Sequence, residues 1–199
     1  GTLTLPKGGS RLPVLILVHG SGPNDRDETL GPNKLFRDIA WGLAEQGIAV
    51  LRYDKRTKVY GTAAYPQGVE ATFDNEVVDD VISAVRLVKS LPEIDSARVY
   101  VLGHSLGGML VPRIAQRAGE GCLGGIISLA GPVRKMEQLL TEQMTYISSL
   151  SGTQPDVKAA VEQVMNSLPE SYRKMETEYQ PVEVARMLKL PFLVLQGER

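Results

Sequence analysis

The chain has 199 residues, of which 43% are hydrophobic and 23% are charged, a balance typical of a folded globular domain and not of a disordered chain. Its 22 basic and 23 acidic residues leave a formal net charge of -1, so no global field favours nucleic acid or an anionic membrane as a partner. The single cysteine, Cys122, excludes an intrachain disulfide and any zinc site built on cysteines.

Six segments of the sequence predict β-strands. The first alternates apolar and polar residues and stops at Pro6, as a strand end does. The other five are short, nearly continuous apolar runs, which are typical of strands buried on both faces. In chain order the predicted strands cover residues 2–5, 12–18, 48–51, 98–102, 123–129 and 192–195.

Between the predicted strands, apolar residues recur at the spacing of amphipathic helices. Gly47 is a suitable C-cap for the first of these helices, and Phe36 and Trp41 fit its core face. The second helix is rich in β-branched valines, so its spacing and not its propensity decides the assignment. The predicted helices cover residues 35–43, 77–88 and 105–118, whereas residues 19–33 and 53–71 are predicted to be loops.

Apolar strands that alternate with amphipathic helices predict an α/β fold, with a mostly parallel sheet and helices on both of its faces. Residues 132–190 break this rhythm, because they are helical in pattern and contain no predicted strand, although they lie between two core strands. We therefore expect a core formed by residues 1–131 and 191–199, and an inserted helical cap, residues 132–190, that is mobile over a pocket.

The strongest local signal is the sequence GHSLG at 103–107, which matches the pattern G-x-S-x-G. It follows an apolar strand and opens a helix, and this context is that of a nucleophile elbow, a tight turn that exposes a serine hydroxyl. Only small residues at Gly103 and Gly107 let the strand and the helix pass so closely. The alternative is a glycine-rich helix start in which Ser105 is an ordinary N-cap.

A second glycine-rich sequence, HGSGP at 19–23, directly follows the strand predicted at 12–18. In a hydrolase with a nucleophile elbow, a loop after an earlier strand supplies one backbone N–H to the oxyanion hole, and the residue after the nucleophile supplies the other. The predicted donors are the N–H groups of Ser21 and Leu106, with Gly22 as the alternative to Ser21. A purely structural turn would also explain the glycines.

The sequences HGSGPND at 19–25, YDKR at 53–56 and GHSLGG at 103–108 together resemble the α/β-hydrolase superfamily, and most closely bacterial carboxylesterases of the EstD type. Residues 31–56 also fit that group, and the resemblance covers most of residues 12–131. It implies the α/β-hydrolase fold and a Ser–His–acid hydrolase that acts on small-molecule carboxylic esters. It also implies that no metal or organic cofactor takes part.

The triad of such enzymes runs along the chain in the order serine, acid, histidine, but neither histidine of this sequence follows Ser105. We expect His104 to be held beside the elbow and His19 to be structural. The resemblance places the acid after the last predicted strand, where Glu198 is a candidate and an aspartate beyond Arg199 is favoured. We therefore expect the triad acid and histidine to lie outside these residues. A missing C-terminal segment or another copy of the chain would complete the fold, and the 199 residues alone would be inactive.

Two other features of the sequence each allow a functional and a structural interpretation. The charges at 25–28 and 54–56 are expected to form ion pairs that stiffen the oxyanion loop, or else to be solvated loop charges. Residues 132–190 contain five of the six methionines, and flexible methionines suit a lid that adapts to varied acyl chains. Ordinary packing between helices explains them equally well. These methionines are Met136, Met144, Met165, Met175 and Met187.

No segment of the sequence is a candidate membrane span or export signal. The longest apolar run, residues 14–18, is too short to cross a bilayer, and no charged-then-apolar segment opens the chain. Because the first residue is Gly1 and not methionine, we expect the natural N-terminus to be missing, together with any targeting signal. The compartment is therefore left open.

Together these observations predict a serine hydrolase that cleaves carboxylic esters through an acyl-enzyme on Ser105. Two alternatives stay open. A thioesterase or a peptidase would use the same fold and elbow, and a non-catalytic binding module would keep the pocket without the triad. The lack of a histidine after Ser105 favours the binding module, whereas the intact elbow and oxyanion loop argue against it.

Overall fold

A computed structural model describes residues 1–152 and 155–197 of the chain. The strands of this part are β1 (Thr2–Thr4), β2 (Leu12–Val18), β3 (Thr29–Leu30), β4 (Asn33–Lys34), β5 (Ala49–Arg52), β6 (Ile94–His104), β7 (Gly125–Leu129) and β8 (Phe192–Leu195). Six of them form one sheet in the order β1-β5-β2-β6-β7-β8. β1 runs antiparallel to β5, and all other neighbours in this sheet are parallel.

The α-helices lie mainly between the strands or after β7. They are α1 (Leu35–Glu45), α2 (Arg56–Tyr60), α3 (Asp79–Lys89), α4 (Leu106–Ala118), α5 (Met136–Ser151), α6 (Val157–Ser167), α7 (Glu170–Glu178) and α8 (Pro181–Met187). A short 3₁₀-helix, Gly61–Ala64, follows α2, and a π-helix, Asp74–Val78, leads directly into α3.

The central strand β2 separates two apolar layers. Successive side chains of a strand point to opposite faces of the sheet. Ile16 and its neighbours two residues away therefore join the core that α3 and α4 complete, whereas Leu15 and Leu17 pack with Phe36 of α1. Both faces are covered by helices, which confirms the predicted α/β fold with a mostly parallel sheet. It also explains why β2 reads as a continuous apolar run.

The elements differ from the predictions mainly where they are short or polar. β6 begins at Ile94, ahead of the predicted strand at 98–102, because Ile94 pairs with Leu12 across the sheet. The predicted loop at 19–33 overlaps the β3–β4 hairpin, and the predicted loop at 53–71 contains α2. Elements of two to five residues are too short to show a hydrophobic period.

The placement of Trp41 in the helix core is wrong. Phe36 and Ala40 of α1 are fully buried, but Trp41 is 56% exposed. Five residues of an α-helix turn the side chain through about 140°, so Trp41 lies away from the face that Phe36 buries. Its ring instead lies beside the Arg37 guanidinium, 4.8 Å from the centroid, a favourable cation–π contact.

The segment from residue 132 to residue 190 contains α5 to α8 and, apart from residues 153 and 154, which lie outside the described part, no strand. Tyr172 of α7 stacks edge-on against Phe73 with 4.6 Å between ring centroids, and the Tyr179 hydroxyl donates to the Met109 carbonyl at 3.0 Å. These contacts join the segment to the core. Throughout the described residues, no helix is both long and apolar enough to cross a membrane.

Candidate active site

Ser105 lies at the turn between β6 and α4. Its backbone has φ 53° and ψ -115°, a left-handed conformation that non-glycine residues rarely adopt and that costs on the order of 1–3 kcal/mol. The Ser105 N–H donates to the Leu129 carbonyl of β7 at 3.0 Å, which anchors the turn to the sheet. This is the strained strand–turn–helix geometry expected for a nucleophile elbow.

Glycine is required at both ends of the elbow. A Cβ at Gly103 would overlap the Gly107 carbonyl. A Cβ at Gly107 would overlap the Val18 carbonyl and lie 2.7 Å from the His19 carbonyl oxygen, a separation that Cβ atoms do not tolerate. The absence of a side chain at Gly107 therefore brings α4 against the end of β2, where the next loop begins.

That loop passes directly over the elbow. A Cβ placed on Gly20 would lie 3.2 Å from the Ser105 Cβ, so the backbone approaches the serine closely. Ser21, Ser105 and Leu106 line one cavity of about 460 Å³, and Gly22 lines it as well. The structure thus brings together the predicted nucleophile and both predicted oxyanion donors, and it leaves Gly22 as the alternative to Ser21.

His104 lies beside the elbow, as expected. Its Nδ1 is 2.9 Å from Oε2 of Glu28, a carboxylate that is only 8% exposed. The other oxygen of Glu28, Oε1, accepts the Gly20 N–H at 2.7 Å. Glu28 therefore joins the residue before Ser105 to the loop that passes over it.

His19 is buried under the same loop. Its Nε2 is 3.0 Å from the Asp25 carbonyl oxygen, and its ring lies 5.1 Å from the rings of Phe36 and Tyr53. Burial lowers the pKa of His19 to about 4, although the nearby Glu28 carboxylate opposes that shift. His19 is consequently neutral near pH 7, and it is enclosed by packing.

Acidification from pH 6.5 to 4.5 is expected to destabilise the fold through His19. The unfolded chain binds a proton near pH 6.5, whereas the folded pKa of about 4 keeps the buried ring neutral. This contribution to stability is complete above pH 6.5 and is lost as the pH falls towards 4, by roughly 2 kcal/mol at pH 4.5. Urea denaturation at several pH values measures it, and His19→Gln should flatten the pH dependence by about one proton. An unchanged slope would contradict the assignment.

The charged residues of the first loop form ion pairs. Arg26 donates to the Asp54 carboxylate from its backbone N–H and from two guanidinium nitrogens, with Nη2 2.5 Å from Oδ2. Asp27 pairs with Arg52 and with Lys34. Arg26 and Asp27 therefore form ion pairs as expected, whereas the Asp25 carboxylate accepts the backbone N–H groups of Asp27 and Thr29. That these contacts stiffen the loop stays a prediction.

The assignment of Arg56 to the same network is wrong. Arg56 instead binds Asp80 of α3, with Nη2 2.5 Å from Oδ1. Lys55 does reach that loop, since its Nζ donates to the Gly20 carbonyl at 3.1 Å. Lys55 also pairs with Glu76 at 2.6 Å, a residue that the sequence patterns did not single out.

The remainder of the cavity is formed mostly by residues from 132–190. Its lining from this segment is largely apolar and includes Met136, Leu139, Leu140, Val164, Leu168 and Tyr172. Of the five methionines in the segment, only Met136 is among the lining residues, and Met187 is 65% exposed. The apolar surface near Ser105 is thus supplied more by leucine and valine than by methionine.

Two further predictions concern the triad acid and a metal site. Glu198, the candidate acid, lies outside the described residues. Within the described residues, no group of three or more histidine, cysteine, aspartate or glutamate side chains is arranged to hold a metal ion.

The sequence matches the family described as serine aminopeptidase, S33, over residues 14–182. It is 39% identical over 216 aligned positions to Esterase EstD of Thermotoga maritima, in an alignment that covers 100% of this chain and 49% of the relative. The chain therefore spans about half the length of that curated relative.

Solved structures of other proteins share the fold. The α/β-hydrolase GrgF of Penicillium has a TM-score of 0.61 at 17% identity, and the alignment covers 98% of this chain and 74% of the GrgF chain. An acetyl xylan esterase of Paenibacillus has a TM-score of 0.59 at 20% identity, and the alignment covers 96% of this chain and 62% of that esterase. An esterase of Pyrococcus furiosus has a TM-score of 0.57 at 18% identity, and the alignment covers 94% of this chain and 60% of that esterase. These likenesses establish the fold.

Proposed function

Because the chain belongs to the serine aminopeptidase S33 family of α/β-hydrolases, we propose that it hydrolyses carboxylic esters through an acyl-enzyme on Ser105. The observation that carries the proposal is the strained turn at Ser105, which shares one largely apolar cavity with Ser21 and Leu106. The similarity to an esterase of Thermotoga maritima supports an ester as the substrate.

In the proposed reaction, the Ser105 hydroxyl attacks the ester carbonyl and gives its proton to a general base. The tetrahedral oxyanion accepts hydrogen bonds from the N–H groups of Leu106 and Ser21. Collapse of this intermediate expels the alcohol, which takes up the proton and leaves the acyl group on Ser105. Water then attacks the acyl-enzyme, releases the carboxylic acid and regenerates the serine.

We assign the proton transfer to neither histidine of these residues. The ring of His19 is enclosed, and its Nε2 is engaged with the Asp25 carbonyl. His104 immediately precedes the nucleophile, and its Nδ1 lies 2.9 Å from Oε2 of Glu28. A general base has to reach the serine hydroxyl directly or through one water, and neither environment favours that contact.

Peptide hydrolysis is the second candidate, because the family description names an aminopeptidase. An aminopeptidase that recognises the substrate ammonium group would use a free carboxylate near the serine. Two glutamates line the cavity, but Glu76 already pairs with Lys55 at 2.6 Å. Glu176 accepts the Met136 N–H, also at 2.6 Å. The neutralisation of Glu76 by Lys55 favours a neutral ester. Among the described residues Glu176 forms no ion pair, so it is the carboxylate that an aminopeptidase would use.

The experiment that tests the proposed function is a substrate panel with the whole protein. We expect turnover of p-nitrophenyl esters to exceed that of aminoacyl p-nitroanilides by at least about 100-fold in kcat/KM. A preference for the anilides would replace the esterase proposal by a peptidase. Absence of turnover on both classes, together with tight binding of an ester analogue, would favour the binding module.

We further propose that residues 132–190 act as a cap on a core formed by residues 1–131 and 191–199. Replacing the cavity-lining Leu140 by Trp should then lower kcat/KM for octanoate esters by about 10-fold or more and leave acetate esters nearly unchanged. The reason is that each methylene deprived of apolar contact costs about 0.8 kcal/mol. The measurement is kcat/KM against acyl chain length.

The matched control for this prediction is Leu150→Trp. Leu150 lies on the same helix, α5, but is 70% exposed, so its replacement should not alter the dependence on chain length. An unchanged dependence in Leu140→Trp as well would contradict the assignment of residues 132–190 as a cap that contacts the acyl chain.

A further inference from the structure

A buried ion pair lies beneath the loop that passes over Ser105. The Nζ of Lys55 is 2.6 Å from Oε1 of Glu76, and the two side chains are only 3% and 10% exposed. Burying two charges is expensive, and well-packed apolar residues in their place are often neutral or stabilising. Stability alone therefore does not account for this pair.

Lys55 also holds one specific peptide group. Its Nζ donates to the Gly20 carbonyl at 3.1 Å, and the Asn24 side-chain amide donates to the same oxygen at 3.1 Å. The next N–H along the chain belongs to Ser21. The C=O and the N–H of a trans peptide point in opposite directions, and the peptide between Gly20 and Ser21 is trans. Holding the Gly20 oxygen therefore sets the direction of the Ser21 N–H.

The charge of Lys55 also strengthens that N–H as a donor. A cation bound to a carbonyl polarises the whole amide, because linked hydrogen bonds reinforce one another in a protein interior. The Gly20 unit is held at its other end as well, since its own N–H donates to Glu28 at 2.7 Å. The Gly20–Ser21 peptide is thus fixed before any substrate arrives.

Glu76 extends this arrangement to the segment 132–190. It lies in the π-helix Asp74–Val78, a type of turn often found at functional sites, and it lines the cavity that contains Ser105. Tyr172 of α7 lines the same cavity, and its ring packs edge-on against Phe73, the residue directly before the π-helix. Burial and the nearby Glu76 carboxylate raise the pKa of the Tyr172 hydroxyl. Packing therefore connects α7 to the π-helix, and the ion pair connects the π-helix to Lys55 and the Gly20 carbonyl.

We propose that Lys55 and Glu76 are positioning residues of the oxyanion hole, and that Tyr172 couples this hole to residues 132–190. The inference rests on the proposed function, because it requires the Ser21 N–H to bind the oxyanion. Neither charged side chain touches the reacting atoms in this proposal. They act through the orientation and polarity of one peptide group.

The test compares Lys55→Met and the double variant Lys55→Met/Glu76→Met in the whole protein. The double variant leaves no unpaired buried charge, so it should fold with stability close to that of the unsubstituted protein. We expect kcat to fall about 10- to 100-fold in both variants, somewhat less than the loss that follows complete removal of an oxyanion donor, while KM changes less than about threefold. Rates are normalised to the folded fraction measured by circular dichroism.

A second measurement separates positioning from general damage. Affinity for a trifluoromethyl ketone analogue, which forms an oxyanion on the serine, should fall by the same factor as kcat/KM. Affinity for the carboxylic acid product should not change. Tyr172→Phe should lower kcat about 3- to 10-fold. Lys58→Met and Tyr146→Phe are matched controls at exposed positions and should leave both affinities unchanged.

The possible outcomes distinguish the two proposals. If Ser105→Ala is inactive but the double variant retains full kcat, the positioning role is wrong and the esterase proposal stands. Equal losses of affinity for the analogue and the product, or failure of the double variant to fold, would make the ion pair structural and overturn the inference. Full activity of Tyr172→Phe would remove the link to residues 132–190. Retained activity of Ser105→Ala would overturn the proposed function itself.

Discussion

In the whole protein, Ser105→Ala is expected to lower ester turnover by a factor of about 10⁴ or more, the typical effect of removing the nucleophile of a serine hydrolase. The oxyanion hole and the apolar cavity remain in this variant, but no group is left to form the acyl-enzyme. Covalent labelling of the protein by a fluorophosphonate should disappear with turnover. Steady-state assays with p-nitrophenyl butyrate and mass spectrometry of the labelled protein measure the two effects.

The fold should survive the same substitution. Alanine has to adopt the left-handed backbone that Ser105 already has, with φ 53°, so the strain is nearly the same in both proteins. The melting temperature is therefore expected to change little. Ser149→Ala, at an exposed position of α5, is the control for loss of a hydroxyl. Persistent labelling of Ser105→Ala would show that another residue is the nucleophile.

The substitution Gly107→Ala is expected to reduce both stability and activity. Its Cβ would meet two backbone oxygens at the end of β2, on Val18 and His19, and backbone atoms cannot move aside as a flexible side chain does. We expect a loss of about 3 kcal/mol or more in the free energy of unfolding, at the upper end of overpacking costs. Displacement of α4 from the loop would also separate Ser105 from Ser21 and lower kcat by about 100-fold.

Gly42→Ala provides the control for this prediction. Gly42 is an exposed residue inside α1, and a Cβ there would meet no atom within 4 Å. Alanine should stabilise the helix by up to about 1 kcal/mol without affecting kcat. Denaturant unfolding and esterase assays on both variants measure these effects. Wild-type stability in Gly107→Ala would mean that α4 and β2 do not approach as closely as described.

The parts of the fold that the sequence predicts well are those in which one physical requirement dominates. β2 is buried on both faces, so each residue must be apolar, and its predicted bounds match Leu12–Val18. The elbow requires glycine at two positions and a strand before them, and these features are contiguous in the sequence. Local requirements of this kind can be read without knowledge of distant residues.

The parts that the sequence does not reveal depend on tertiary contacts. Lys55 and Glu76 are 21 positions apart and have no characteristic spacing, so only the packing of the π-helix beneath the first loop shows that they meet. Trp41 is a different case. A large aromatic residue suits a core on composition, whereas the phase of the helix, which is a local property, places it in solvent. The role of residues 132–190 also depends on how they pack over the cavity.

Backbone strain in this protein is concentrated around the elbow. Among the described residues other than glycine, four have positive φ, and three of these, Glu28, Ser105 and Ala130, surround the elbow. Glycine would relieve the strain at such positions, but it would remove the Ser105 hydroxyl and the Glu28 carboxylate that accepts the Gly20 N–H. An observer who knew no catalytic motif could therefore locate this region from its backbone conformation.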